Sequence, residues 1–194
     1  MKRLRPLLVL LPLTILACGQ GGGNDKRVIS GASSVPVAVA NTPRLNGAAP
    51  DPQTLASRAI AALEVGDTAA LMSLLVTKQE FMRHLYPEYA LHYPVARDTS
   101  ILTREFLWEN QTLSSLGALN RALRDLSGRK MDLLGLSFRE GVRRFTSYSL
   151  HEGTLLRVRF DDGRVADLHA LGSIVEMDGG VKLLTYRDRE RGEQ

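Results

Sequence analysis

The chain has 194 residues, 44% apolar and 24% charged, which fits one folded domain with appendages. Its 25 basic and 21 acidic residues give a net charge of +4, but three of the basic ones, Lys2, Arg3 and Arg5, open a leader-like segment. Without that segment 22 basic residues face 21 acidic ones, which removes the broadly basic surface a nucleic-acid binder needs.

Residues 1–17 carry the three-part layout of an export signal: a basic start, an apolar run from Leu7 to Leu16, and the small Ala17. The run is about ten residues, half of the roughly 20 that span a bilayer. The single cysteine, Cys18, follows at once. It has no intrachain disulfide partner, and a thiolate metal site needs further clustered ligands. Cleavage after Gly19 would give a soluble exported protein instead.

Ile15-Leu16-Ala17-Cys18 resembles the lipobox of bacterial lipoproteins. That resemblance implies diacylglyceryl transfer to Cys18, removal of residues 1–17, acylation of the new amino terminus and attachment to a membrane of the cell envelope. Each buried methylene contributes about 0.8 kcal/mol, so several acyl chains on one residue anchor where a single chain does so only marginally. Gly19 after the cysteine, rather than Asp, implies the outer membrane facing the periplasm where the host has one.

Residues 18–50 read as a tether, with glycines at 19 and 21–23 and prolines at 36, 43 and 50. "VPVAVA" at 35–40 has some strand character but little to bury. A flexible chain of this length spans roughly 30 Å between its ends.

The folded part is expected over 51–190. Asp51-Pro52 is a helix start, with an N-cap and a first-turn proline. Leu55, Ala59, Ile60, Ala62 and Leu63 form its buried face, and Gly66 its left-handed stop. Asp67 caps a second helix carrying Leu71, Leu74 and Leu75. "TKQEF" at 77–81 is a capping box. Pro87 and Pro94 bound a broken segment. A long helix follows over about 100–127, with Leu102, Phe106, Leu113, Leu116, Leu119, Leu123 and Leu126 on its core face and Gly128 as its stop.

Beyond Gly128 the apolar period becomes two, and "REG", "HEG", "DDG" and "DGG" punctuate it. A three-residue loop at Asp161–Gly163 pairs Val158 with Ala166, Leu156 with Leu168 and Arg157 with Asp167, matching apolar with apolar and opposite charges. The same reading of "IVEMDGGVKLL" pairs Glu176 with Lys182 and Val175 with Leu183. For "YSLHEGTLL" it pairs Tyr148 with Leu156. The result is an antiparallel meander over 130–187, with Tyr148, Leu156, Val158, Ala166 and Leu168 inward and the longest strand bulged or bent at Gly172.

Three helices followed by such a sheet make an α+β chain, and the "ALEVGDTAAL" turn resembles members of the nuclear-transport-factor-two-like superfamily over about residues 53–187. The implied fold is a cystatin-like roll: three N-terminal helices packed on a curved antiparallel sheet, often with a pocket between the long helix and the sheet. Members include isomerases, dehydratases and cyclases as well as binding and assembly domains without activity. The family commonly has a strand pair before the long helix, where this chain offers only "EYALHYPVA". The part from "FLWENQTLSSLGALNRAL" to "VKLLTY" is similar to small uncharacterised lipoproteins.

Candidate chemistry is sparse. Asp167 and His169 share a strand face, and a carboxylate in an apolar pocket is the base that the resembling isomerases use. The register instead sets Asp167 opposite Arg157 as a solvated pair. His84, His92, His151 and His169 have no metal-ligand spacing, and no nucleophile elbow or phosphate loop is present. Trp108, Tyr93 and Tyr148 are the candidate pocket residues, since aromatics with a polar tip suit a pocket or a contact surface; for Trp108 plain core is the competing reading. The expectation is a lipid-anchored, non-catalytic binding domain for a partner protein or a small apolar ligand, with no cofactor and no metal. The alternative is an isomerase or cyclase that uses the roll's pocket.

Overall fold

The structure, a computed structural model, describes residues 44–92 and 104–187. The leader, Cys18, most of the tether, Tyr93 and the charged segment from 188 onward lie outside the described residues. Within them the chain is α+β, with helices followed by an antiparallel sheet of five strands.

The expected helix signals act as read. Helix α1 is Pro52–Val65; the Asp51 carboxylate accepts from the Thr54 N–H at 2.8 Å, and Gly66 ends the helix at φ 69°. Helix α2, Thr68–Ser73, is capped by Asp67, which accepts from the Ala70 N–H at 2.9 Å. Helix α3, Lys78–Glu80, starts at the Thr77 capping box. It continues through a π-helical turn, Phe81–Leu85, into α4, Tyr86–His92. The segment expected to be broken at Pro87 is therefore helical up to His92. Pro87 lies inside this continuous helix, and the widened π-helical turn lies where its ring would otherwise meet a carbonyl four residues back.

The long helix α5 is Arg104–Leu126, and the leucine row reaches the core only in its second half, at Leu119, Leu123 and Leu126. Phe106 and Leu113 are 49% and 70% exposed, whereas Ser115, Ala118, Leu119 and Leu126 are buried. Small residues turn inward because the chain at 184–187 passes close to this helix: the Tyr186 N–H donates to Ser115 Oγ at 2.8 Å.

Strands β1 (Met131–Arg144) and β2 (Ser149–Phe160) form a long ladder with register shifts between Leu133 and Gly135 and between Phe138 and Gly141. The other side of β2 pairs with β3 (Val165–Leu168) at one end and with β4 (Ile174–Met177) at the other. β3 and β4 are thus two halves of one strand interrupted at 169–173, the expected bend at Gly172. β5 (Gly180–Leu183) pairs with β4.

The "DDG" register holds as read: Leu156 faces Leu168, Arg157 faces Asp167 and Val158 faces Ala166. Gly163 takes φ 80° in a three-residue loop closed by the Phe160 N–H to Arg164 C=O bond at 2.9 Å. Leu156 and Val158 are fully buried, with Ala166 and Leu168 packed against them.

Two other registers differ. "MDGG" is a two-residue turn, Asp178-Gly179, with both φ angles positive (46° and 70°), so Val175 faces Lys182 and Ile174 faces Leu183. "HEG" is no turn: β2 runs through it, and Gly153 at φ 69° lies where an added Cβ would stand 3.0 Å from the Glu140 N. "REG" and "HEG" mark facing irregularities in the β1–β2 ladder. The turn falls at 145–148, where the Glu88 carboxylate accepts from the Thr146 and Ser147 N–H groups. Leu156 therefore pairs with Leu136 and Leu168, and Tyr148 joins a separate cluster.

That second cluster explains the misread turn. One face of β4 and β5 carries Ile174, Val181 and Leu183 into the main core with α1 and α5. Their other face carries Val175 and Met177 against Phe81, Leu85 and Tyr148. Lys182 points into this second side, 3% exposed, with Nζ 3.0 Å from Glu80 Oε2. The Glu80 carboxylate, 4% exposed, also accepts from the Thr77 N–H at 2.7 Å and the Asn46 N–H at 2.6 Å. Burial pushes this carboxyl up, but the donors from Thr77, Asn46 and Lys182 outweigh it and hold it below the usual range.

Removing Glu80 strands a buried ammonium. Glu80→Gln is expected to cost about 3–5 kcal/mol, measured by urea unfolding at pH 7. Because the folded carboxyl titrates below its unfolded value, its contribution is present above about pH 4.5 and fades as the pH falls through the lower folded value. The acid limb of the wild-type stability curve should therefore be steeper than that of the variant.

Candidate functional site

Among the described residues, three openings lie along the helix–sheet seam of α5. The first is a groove of about 270 Å³ between the end of α5 and β3. Ala118, Ala122 and Leu126 form its helical wall, and Ala166, Leu168 and Ala170 the opposite one. Its rim carries Arg121, Arg129, Arg164 and Arg187 against Asp125 and Asp167, with His169 beside them. Four guanidiniums and two carboxylates leave it positive. Every residue from 166 to 170 lines it. Side chains alternate faces along a strand, so a cavity touching five in succession runs along the strand's edge and not over one face.

Phe160 organises the groove's outer end. The Arg129 and Arg164 guanidiniums lie 4.0 and 4.7 Å from its ring centroid. Stacking on the ring holds each guanidinium while leaving its N–H edge for another group. Arg164 has Asp162 at 3.9 Å, while Arg129 makes no ion pair among the described residues. Arg187 is bonded to Glu140 at 2.7 Å.

The second cavity, about 450 Å³, lies farther up the seam and shares Arg187 with the first. Tyr89, Asn110, Gln111, Ser114 and Thr185 give it a neutral polar lining. Tyr186 closes its base, 3% exposed, with its hydroxyl donating to the Leu71 carbonyl at 2.7 Å. Burial pushes this phenol far above its usual range, so it stays a neutral donor. The third opening, about 210 Å³, is apolar and lined by Met72, Leu75, Val76, Trp108 and Leu184.

The aromatic candidates are not brought together in one pocket. Trp108 lines the apolar opening and packs on Phe81, with ring centroids 5.3 Å apart. Tyr148 lines none of the three; it is 5% exposed, stacked on Phe145 at 4.3 Å, with its hydroxyl 3.4 Å from the Leu85 carbonyl. It is core, not pocket wall. Tyr93 and Cys18 lie outside the described residues. Asp167 and His169 both line the first groove, Asp167 exposed and opposite Arg157.

The arginine pair escaped sequence reading. Arg129 and Arg164 each follow a glycine stop, Gly128 and Gly163, and only the fold places those two stops side by side. Among the described residues no three His, Cys, Asp or Glu side chains are placed to hold a metal ion, and no helix is long and apolar enough to cross a membrane. No family model, curated protein or solved structure matches the chain.

The seam depends on close backbone approach at Gly172. Its N–H donates to the Thr185 carbonyl at 2.9 Å, and an added Cβ would stand 2.7 Å from that oxygen. Gly172→Ala is expected to lose about 1–3 kcal/mol in urea unfolding. Gly135→Ala in β1, with nothing within 4 Å of the new Cβ, should stay close to wild type.

Proposed function

We propose that this is a lipid-anchored protein of the cell envelope, attached through Cys18 and facing the periplasm from the outer membrane where the host has one. Its roll-like domain captures a segment of a partner protein without catalysis. The ordered run of basic start, apolar stretch, Ala17 and Cys18 supports the anchor. The observation that carries the binding role is the positive groove between α5 and the edge of β3, with Arg129 and Arg164 held on Phe160.

Size favours a protein segment over a small apolar ligand. The apolar opening beside Trp108, about 210 Å³, falls below the roughly 300–1,000 Å³ of most small-ligand sites. The larger cavity is lined by amides and hydroxyls, which suit a polar ligand. An isomerase would need a base in that cavity, and among the described residues no carboxylate or histidine lines it. The buried ionisable pair, Glu80 and Lys182, is closed on itself.

Mass analysis of the mature amino terminus should find Cys18 as the first residue with acyl groups, and Cys18→Ser should move the protein out of the membrane fraction. An unmodified Cys18 would overturn the anchor. A photo-crosslinking residue at position 129 should trap a protein in intact cells and lose the adduct when Arg164→Glu is added. Adducts that survive this reversal would sink the groove reading.

A further inference from the structure

The second cavity gathers polar side chains that the fold itself does not use. Asn110 and Ser114 reach it from α5, Ser173 from the bend before β4, and Thr185 from the chain after β5. Among the described residues none of these four side chains makes a hydrogen bond. Ser115 lines the same cavity at 4% exposure. Its oxygen accepts from the Tyr186 N–H at 2.8 Å, and its own proton has no acceptor among the described residues. The Gln111 amide donates one N–H to the Leu184 carbonyl at 3.4 Å, and its oxygen is left over.

The chemistry of this set is selective. Hydroxyls and side-chain amides are neutral, and each both donates and accepts. An anion would call for donors alone and a cation for acceptors alone. A ligand that displaces water from such groups gains only by reproducing bonds in both directions. Arg187 is the one charged residue among the described lining, and it is bonded to Glu140 at 2.7 Å.

Aromatic surface completes the site. Phe81 and Tyr89 both line it, with ring centroids 6.2 Å apart and planes tilted by 59°. Burial, with the Glu152 carboxylate adding to it, pushes the Tyr89 phenol above its usual range, so it stays uncharged. A sugar ring has a rim of hydroxyls and a face of C–H groups. Amides and hydroxyls match the rim, and an aromatic ring matches the face. The volume, about 450 Å³, lies within the roughly 300–1,000 Å³ of small-ligand sites.

We infer that this cavity binds a neutral saccharide, with Asn110, Gln111, Ser114 and Thr185 bonding its hydroxyls and Tyr89 covering its C–H face. A free sugar and the terminal unit of a longer glycan present the same chemistry. The ligand is uncharged, so the inference stands whether or not the positive groove holds a protein segment.

NMR titration of the full chain, in a detergent without a sugar headgroup, tests it. The probes are glucose, maltose, N-acetylglucosamine, its dimer diacetylchitobiose, and the uncharged peptide acetyl-Ala-Ser-Ala-amide. At least one sugar should bind saturably and shift the Asn110 side-chain amide together with the Ser114 and Thr185 backbone amides. Tighter binding of a disaccharide than of its monomer assigns the end of a glycan; equal binding assigns a free sugar. Asn110→Ala and Thr185→Val should each weaken binding roughly fivefold, the loss of one neutral hydrogen bond. Neither side chain bonds within the described protein, so the urea midpoint should not move. Asn120→Ala, an exposed amide on the same helix outside the cavity, should leave binding unchanged. The proposal is overturned if none of the four sugars gives a saturable shift, if the peptide binds as tightly as the best sugar, or if Asn110→Ala and Asn120→Ala have equal effects.

Discussion

Glu80 and Lys182 meet at 3.0 Å with almost no solvent around either. A charge pair this buried is not by itself a source of stability, because desolvation offsets its attraction. Its effect here is on arrangement. One carboxylate collects the Thr77 N–H at a helix start, the Asn46 N–H of the segment that leads into the domain and an ammonium from β5. Three parts of the chain distant in sequence are held at one point, and no apolar side chain could replace it without orphaning two amides. The second cluster of Phe81, Leu85, Val175 and Met177 closes around this point.

With both faces of β4 and β5 covered, the sheet has an asymmetric plan. β5 is flanked at its outer edge by bridges to Ala49 and Leu75. β3, on the other side of the bend at 169–173, has no such cover among the described residues. The bend separates a closed end of the sheet from an open one, and the positive groove lies at the open end. Gly172 permits this because its backbone can lie against Thr185 where a side chain would not fit.

Local chemistry was legible in the sequence and long-range placement was not. The caps at Asp51, Asp67 and Thr77 and the stop at Gly66 act within four residues of themselves, and all were readable. So was the Asp161–Gly163 loop, because apolar matching and charge matching favour the same register there. At Asp178-Gly179 charge matching favours the wrong register, because it pairs Lys182 with the nearby Glu176 while the partner in the fold, Glu80, lies 102 positions away. Gly153 misled because a bulge glycine and a turn glycine look alike in sequence. The groove's arginines are unremarkable in the chain, since only folding sets two glycine stops next to one phenylalanine. The polar tip that makes Tyr148 a pocket candidate reaches a backbone carbonyl in the interior.

The route by which the chain enters the domain has a mechanical consequence. Arg44 pairs with Asp178 at the surface, Asn46 donates to Glu80, and Ala49 exchanges two backbone hydrogen bonds with Val181. Tension on the segment before residue 44 is therefore taken first by an exposed ion pair that resists little. It passes next to the buried carboxylate, and only then to the short bridge on β5. The domain is gripped through its interior and not by a peeling helix end. A pull that reaches Asn46 is spread over α3 and β5 together, so a domain held by its amino-terminal side would yield as one unit before it frayed.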